Sequence, residues 1–128
     1  RVVSSSCPLF VPLVEEGWID GEVAEAAARI YLGGMREEGI DTLILGCTHY
    51  PLLAGTIQAA VGDGVKLVDS AETTAQALEE MLRNSGIEAP DGARPESRIY
   101  ATDMPARFEA IAHRFLSGDL PPVARVDL

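Results

Sequence analysis

The run Gly46-Cys47-Thr48-His49-Tyr50-Pro51 sets a thiol, a hydroxyl and an imidazole side by side. A thiol can take or give a proton once part of it is thiolate. A free thiol titrates near about 8.5, so it needs a neighbour to reach that state at neutral pH. His49 is a candidate proton partner. Thr48 adds a hydroxyl. Gly46 allows a tight turn and close approach of a ligand to the backbone. Leu52 opens a helical stretch, and free N–H groups near a helix start attract a carboxylate and favour a thiolate. Taken singly, a cysteine closing a buried strand is commonly a small core residue, and a lone histidine is commonly structural. The six-residue combination is more specific than any member. A metal is not expected. Cys7 and Cys47 are the only cysteines, His49 and His113 the only histidines, and His113 belongs to a separate helix.

The elements that must hold this turn follow from periodicity. Asp41-Thr42-Leu43-Ile44-Leu45 is a continuous apolar run, the mark of a parallel strand covered on both faces. In an open α/β sheet, ligands gather at the carboxyl ends of such strands, where Cys47 stands. A helix is predicted over 20–38, with Val23, Ala27, Ile30, Tyr31 and Met35 on its apolar face. Gly33-Gly34 weakens its end and Gly39 stops it. Val2-Val3 reads as the end of a strand, and Leu9–Val14 as an apolar segment interrupted by Pro12. A short helix is expected over 52–61. A strand follows over 65–68, with Asp69-Ser70 capping a helix over 71–83. Residues 85–97 read as a loop. A strand over 98–101, a helix carrying Phe108, Ile111, Ala112 and Phe115, and a last short strand near Val123 and Val126 complete the chain. Strands alternate with helices, so the expected class is α/β with a mostly parallel sheet and flanking helices.

The 128 residues carry a formal net charge of -10, and 47% of them are hydrophobic. That is apolar enough for a real core. The acidity argues against nucleic acid, whose phosphates need a basic face. It argues equally against an anionic membrane surface, and no stretch is apolar over the ~20 residues of a membrane span. Two cysteines are too few for a disulfide scaffold, so a reducing cytoplasm is the expected setting. The first residue is Arg1, without an initiator Met, and Val2-Val3 follows at once. A piece of a longer protein is therefore expected.

Gly46-Cys47-Thr48-His49-Tyr50-Pro51-Leu52-Leu53 resembles the second cysteine motif of glutamate racemases. Cys7-Pro8-Leu9-Phe10-Val11-Pro12-Leu13-Val14-Glu15 resembles another of their signatures. Val68–Thr73 and the tail from Tyr100 resemble them more loosely. The resemblance implies interconversion of L- and D-glutamate without a cofactor, by two thiols on opposite faces of the α-carbon. Cys47 matches the thiol that acts on L-glutamate as base and on D-glutamate as acid. His49 matches the histidine that assists it and contacts substrate. Thr48 matches a substrate contact, and Glu15 an acidic residue that assists catalysis. Cys7 matches a cysteine that packs. The family's first catalytic cysteine turn and its N-terminal Asp-Ser-Gly turn have no counterpart here.

By the family's two-domain pattern, residues 1–69 are the latter part of the second α/β domain. Residues 70–128 are the returning C-terminal part of the first. The chain is then a C-terminal half, inactive alone, whose partners are glutamate, the missing N-terminal half and, as in many such racemases, a second copy in a homodimer. Its product would be D-glutamate for peptidoglycan, and so for cell-wall biogenesis and cell shape. Two alternatives stand beside this. One is an aspartate-type racemase, which usually carries Glu where His49 stands. The other is a non-catalytic binding module on the same fold.

Overall fold

The apolar run that precedes the cysteine turn forms β1 (Thr42–Leu45). The structure is a computed structural model and describes residues 1–128 apart from Pro95, Ser117, Asp119 and Leu128. β1 pairs in parallel with β2 (Lys66–Asp69), with Thr42 opposite Lys66 and Leu45 opposite Asp69. Parallel neighbours need a crossover. Here it is a 3-10 turn over Tyr50–Leu53 and a following helix, numbered third in the chain. The single helix expected over 52–61 is thus divided. Leu52 N–H bonds the His49 carbonyl in the tighter pattern, and Pro51 sits at the start of the turn, where a missing N–H costs nothing.

Before β1 come α1 (Phe10–Glu16) and α2 (Gly21–Glu37). The segment read as an interrupted apolar run is therefore helical. Pro12 lies in the first turn of α1, where its absent N–H would have had no partner within the helix. Gly17 ends α1 with a φ of 82°, and Trp18 N–H reaches back 2.8 Å to the Leu13 carbonyl. α2 runs through Gly33-Gly34, and Gly39 follows its end with a φ of 68°.

The buried stripe of α2 is Ala24, Ala27, Ala28 and Leu32. Val23 and Ile30, expected on the inner face, are exposed. Alanine carries little hydrophobic signal, yet its small side chain lets a second helix come close. That helix is α3 (Ala54–Val61), which buries Thr56, Ile57 and Val61. Phe10, Val14, Leu53 and Ile57 are the largest fully buried side chains. The Val2-Val3 segment forms no strand. A strand is defined by a ladder, and no backbone bond joins residues 1–6 to β1 among the described residues.

α4 (Ser70–Ser85) leaves β2 without a loop. The Asp69 carboxylate caps it by accepting from Ala71 N–H at 2.7 Å, as the sequence predicts. No residue of α4 is buried. The chain divides into two compact units, Arg1–Ile87 and Glu88–Leu128. The second unit holds β3 (Ile99–Ala101), α5 (Pro105–Phe115) and β4 (Val123–Arg125). Its strands are parallel, with Ile99 opposite Val123. Val126 lies just past β4 and donates to the Ala101 carbonyl at 3.0 Å. Both sheets are two-stranded and parallel among the described residues, so the class is α/β as expected.

Phe10 is 1% exposed and meets two rings edge-on. Replacing a buried Phe by Ala typically costs about 3–5 kcal/mol. We expect Phe10→Ala to lose stability in that range, measured by urea unfolding of the chain. A loss under about 1 kcal/mol would mean that this ring does not hold the first unit together.

Candidate active site

The cysteine turn begins where β1 ends. Gly46 and Cys47 leave the strand, and Tyr50 N–H closes the turn on the Cys47 carbonyl at 3.1 Å. Cys47 is a half-buried free thiol. Leu45 lies beside Asp69 in the ladder, and the Ser70 hydroxyl donates to the Leu45 carbonyl at 3.5 Å. The carboxyl ends of both strands are thereby held level beneath the turn.

Three of the expected site residues come together here. The Thr48 hydroxyl stands 3.3 Å from Nδ1 of His49. On the other side of the ring, Nε2 of His49 is 3.9 Å from Oε1 of Glu15. Glu15 arrives from the C-terminal turn of α1, so two separate motifs meet at one imidazole. His49 and Glu15 are both partly exposed, at 23% and 32% of their side chains. Solvent can reach them. Whenever the ring carries a proton, Glu15 faces it with the opposite charge. Cys47 stands two residues from His49 in the same turn.

Cys7 does not join this group. It is buried, and its thiol points back to the Ser5 carbonyl at 3.8 Å. Burial raises its pKa, which keeps it protonated. The packing role expected for it is what its environment supports.

Two residues the sequence did not single out hold the site in place. The Tyr50 hydroxyl donates to the Cys7 carbonyl at 3.5 Å. Its ring packs edge-on against Phe10, with centroids 5.3 Å apart. Burial raises the Tyr50 phenol above its ordinary value, and negative charge on Cys7 or Cys47 raises it further. Tyr50 therefore remains a neutral donor across neutral pH. The available signal was an aromatic residue in each motif, Phe10 and Tyr50.

The chain is similar to several known proteins. A family model described as Asp/Glu/Hydantoin racemase matches residues 6–78. Over 128 residues the chain is 51% identical to a glutamate racemase of Geobacter metallireducens, covering 100% of this chain and 47% of that protein. It is 42% identical over 127 residues to a glutamate racemase of Neisseria meningitidis, covering 99% and 47%. Among solved structures, it resembles glutamate racemase from Francisella tularensis in complex with D-glutamate. The TM-score is 0.87 and the identity 34%, over 99% of this chain and 47% of that one. The enzyme from Thermus thermophilus, in complex with beta-chloro-D-alanine, gives 0.85 and 44%, over 97% and 47%. The chain spans about half the length of the curated relatives it matches.

The two thiols differ in access, and this can be read directly. With iodoacetamide at neutral pH, Cys47 is expected to be alkylated first, followed by peptide mass spectrometry. Cys7 is expected to react only after unfolding or as the pH rises well above the ordinary thiol value of about 8.5. Equal rates for both would contradict the burial of Cys7.

Proposed function

Because the chain belongs to the Asp/Glu/Hydantoin racemase family, we propose that it is the C-terminal half of a cofactor-independent glutamate racemase, contributing one of two catalytic thiols. The observation that carries this is the meeting of Thr48, His49 and Glu15 in and against the turn that bears Cys47. Names of relatives support the substrate, and the complex of one of them with D-glutamate supports it further.

In the proposed step, Cys47 thiolate removes the α-proton of L-glutamate and becomes a thiol. The electron pair stays on the substrate as a carbanion, delocalised into the α-carboxylate. A second thiol, supplied from outside this chain, gives a proton to the opposite face and becomes a thiolate. The reverse reaction exchanges the roles. His49 assists the Cys47 side, with Glu15 facing Nε2 to orient the ring and Nδ1, beside the Thr48 hydroxyl, left to share a proton. Thr48 also contacts the substrate. No metal or cofactor is required by this chemistry. D-Glutamate would serve peptidoglycan synthesis, and the setting would be the cytoplasm. Among the described residues, no helix is long and apolar enough to cross a membrane.

The domain assignment belongs to the same proposal. Residues 1–69 would complete one α/β domain and residues 70–128 would return to the other. Support comes from α4, an amphipathic helix with no buried residue, as expected of a helix whose cover lies elsewhere. An aspartate-type racemase is the second reading. His49, paired as it is with Glu15, favours the first.

The decisive experiment uses the complete enzyme. Cys47→Ser is expected to abolish turnover in both directions, because a hydroxyl is a far poorer base than a thiolate. The other thiol can still exchange the α-hydrogen of its own enantiomer, read as solvent deuterium incorporation. Near-normal turnover in both directions would remove Cys47 from the mechanism. A second expectation concerns the 128-residue chain alone. It should not form D-glutamate in a coupled assay, since Cys7 is buried and no other thiol exists. Robust racemisation by the chain alone would sink the two-thiol reading.

A further inference from the structure

One side chain joins the two cysteine-bearing motifs. The N–H of Tyr50 donates to the Cys47 carbonyl at 3.1 Å, and its phenol donates to the Cys7 carbonyl at 3.5 Å. A single residue therefore bonds the main-chain carbonyls of both cysteines. The Cys7 carbonyl also accepts from Phe10 N–H at 3.0 Å, in the turn that opens α1. What holds that carbonyl holds the start of α1. This helix has seven residues and spans about 10 Å, so it moves as one short rod. Its last turn carries Glu15, 3.9 Å from Nε2 of His49.

The link survives ionisation of the thiol in its own turn. Negative charge on Cys47 raises the Tyr50 phenol beyond the effect of burial, so the proton that makes the bond to Cys7 stays in place when Cys47 becomes thiolate. The acceptor is main chain, so the Cys7 thiol takes no part. The ring of Tyr50, edge-on to Phe10 at 5.3 Å, keeps the phenol aimed at the start of α1.

We propose that Tyr50 is a positioning residue for the Cys47 half of the proton transfer, its phenol and its N–H holding the thiol-bearing turn in register with α1 and so with the Glu15–His49 pair. The proposal rests on the racemase reading, since it concerns the step assigned to Cys47. Tyr50 acts through Cys47 and His49 and not on glutamate itself. Proton transfer is steep in geometry, and a misplacement of about 1 Å can cost on the order of 10²-fold in rate. Substrate affinity is spread over several contacts and is less sensitive to one turn. Loss of the phenol bond therefore slows the step and leaves binding nearly as it was.

The test is Tyr50→Phe in the complete enzyme, which deletes the hydroxyl and keeps the ring against Phe10. One net hydrogen bond corresponds to roughly a fivefold change in an equilibrium. On that scale kcat is expected to fall at least about threefold in both directions, with KM within about twofold of wild type. In deuterium oxide, with D-glutamate as the starting enantiomer, the opposing thiol still removes the α-proton while the displaced Cys47 returns one more slowly. Deuterium in unreacted D-glutamate, relative to L-glutamate formed, should then rise at least about threefold. Val61→Ala, a core change outside the turn, controls for lost stability and should keep the wild-type ratio. An unchanged ratio in Tyr50→Phe, an equal rise in Val61→Ala, or a change confined to KM would overturn the proposal. A further readout needs no turnover. In the native Tyr50→Phe enzyme, Cys7 should react with iodoacetamide at least about threefold faster, because its carbonyl has lost one of two bonds; an unchanged rate would also overturn the proposal. Cys47→Ser, assayed alongside, separates the two readings. If it is inactive while Tyr50→Phe matches wild type, the positioning role alone falls; if it turns over normally, the catalytic reading falls first.

Discussion

The ring of Phe10 is the contact on which the rest of the first unit depends. It lies edge-on to Tyr31 at 5.5 Å and to Tyr50 at 5.3 Å. Tyr31 belongs to α2 and Tyr50 to the turn after β1, so one buried side chain joins three segments distant in sequence. Such edge-to-face pairs add about 0.5–1.5 kcal/mol beyond area burial. Their larger effect is positional. Phe10 fixes α1 against the cysteine turn, and Glu15 lies in the last turn of α1. The 3.9 Å approach of Glu15 to His49 is thus set by a core contact and not by the weak pull between two partly exposed groups.

Much of this arrangement was legible in the sequence, for reasons that differ by element. β1, β2, β3 and β4 sit in apolar runs bounded by turns, and their parallel pairing follows from the helices between them. α4 announced itself through Asp69, whose cap is observed. α1 was hidden by Pro12, which reads as a breaker unless it happens to fall in a first turn. The face of α2 was read in part: Ala27, Tyr31 and Met35 pack on the core as expected, while Val23 and Ile30 are exposed because alanines, which weigh little in any hydrophobic pattern, make the rest of the contact. In the site, Cys47, Thr48 and His49 are contiguous and needed no structure to be grouped. The approach of Glu15 was indicated only by likeness to a family. The bond from Tyr50 to the Cys7 carbonyl was not legible at all, because its acceptor is a main-chain atom common to every residue.

Apolar surface left outside also carries information. Ile44 stands in the middle of β1 and is 68% exposed. Its neighbours Leu43 and Leu45 turn to the other face, where Leu45 is buried in the core of the first unit. The sequence of β1 is apolar on both faces, while the chain covers one. Leu78 and Met81 on α4 and Val23 and Ile30 on α2 are exposed in the same way. Scattered exposed hydrophobics need no explanation. A central strand residue and a helix with no buried residue are different, because their patterns are those of elements meant to be sandwiched.

This unevenness bears on the chemistry. Racemisation by proton transfer needs two groups on opposite sides of one carbon, and a single turn at the end of a single strand can occupy only one side. Cys47, Thr48 and His49 share that turn, and Glu15 reaches it from behind, through the imidazole. In the proposed mechanism, every group assembled here would serve the same face of the substrate. Cys7 cannot take the other face, since its thiol is buried and aimed at the Ser5 carbonyl. On the proposed reading, an opposing thiol would come from polypeptide beyond the part of the relatives that this chain matches.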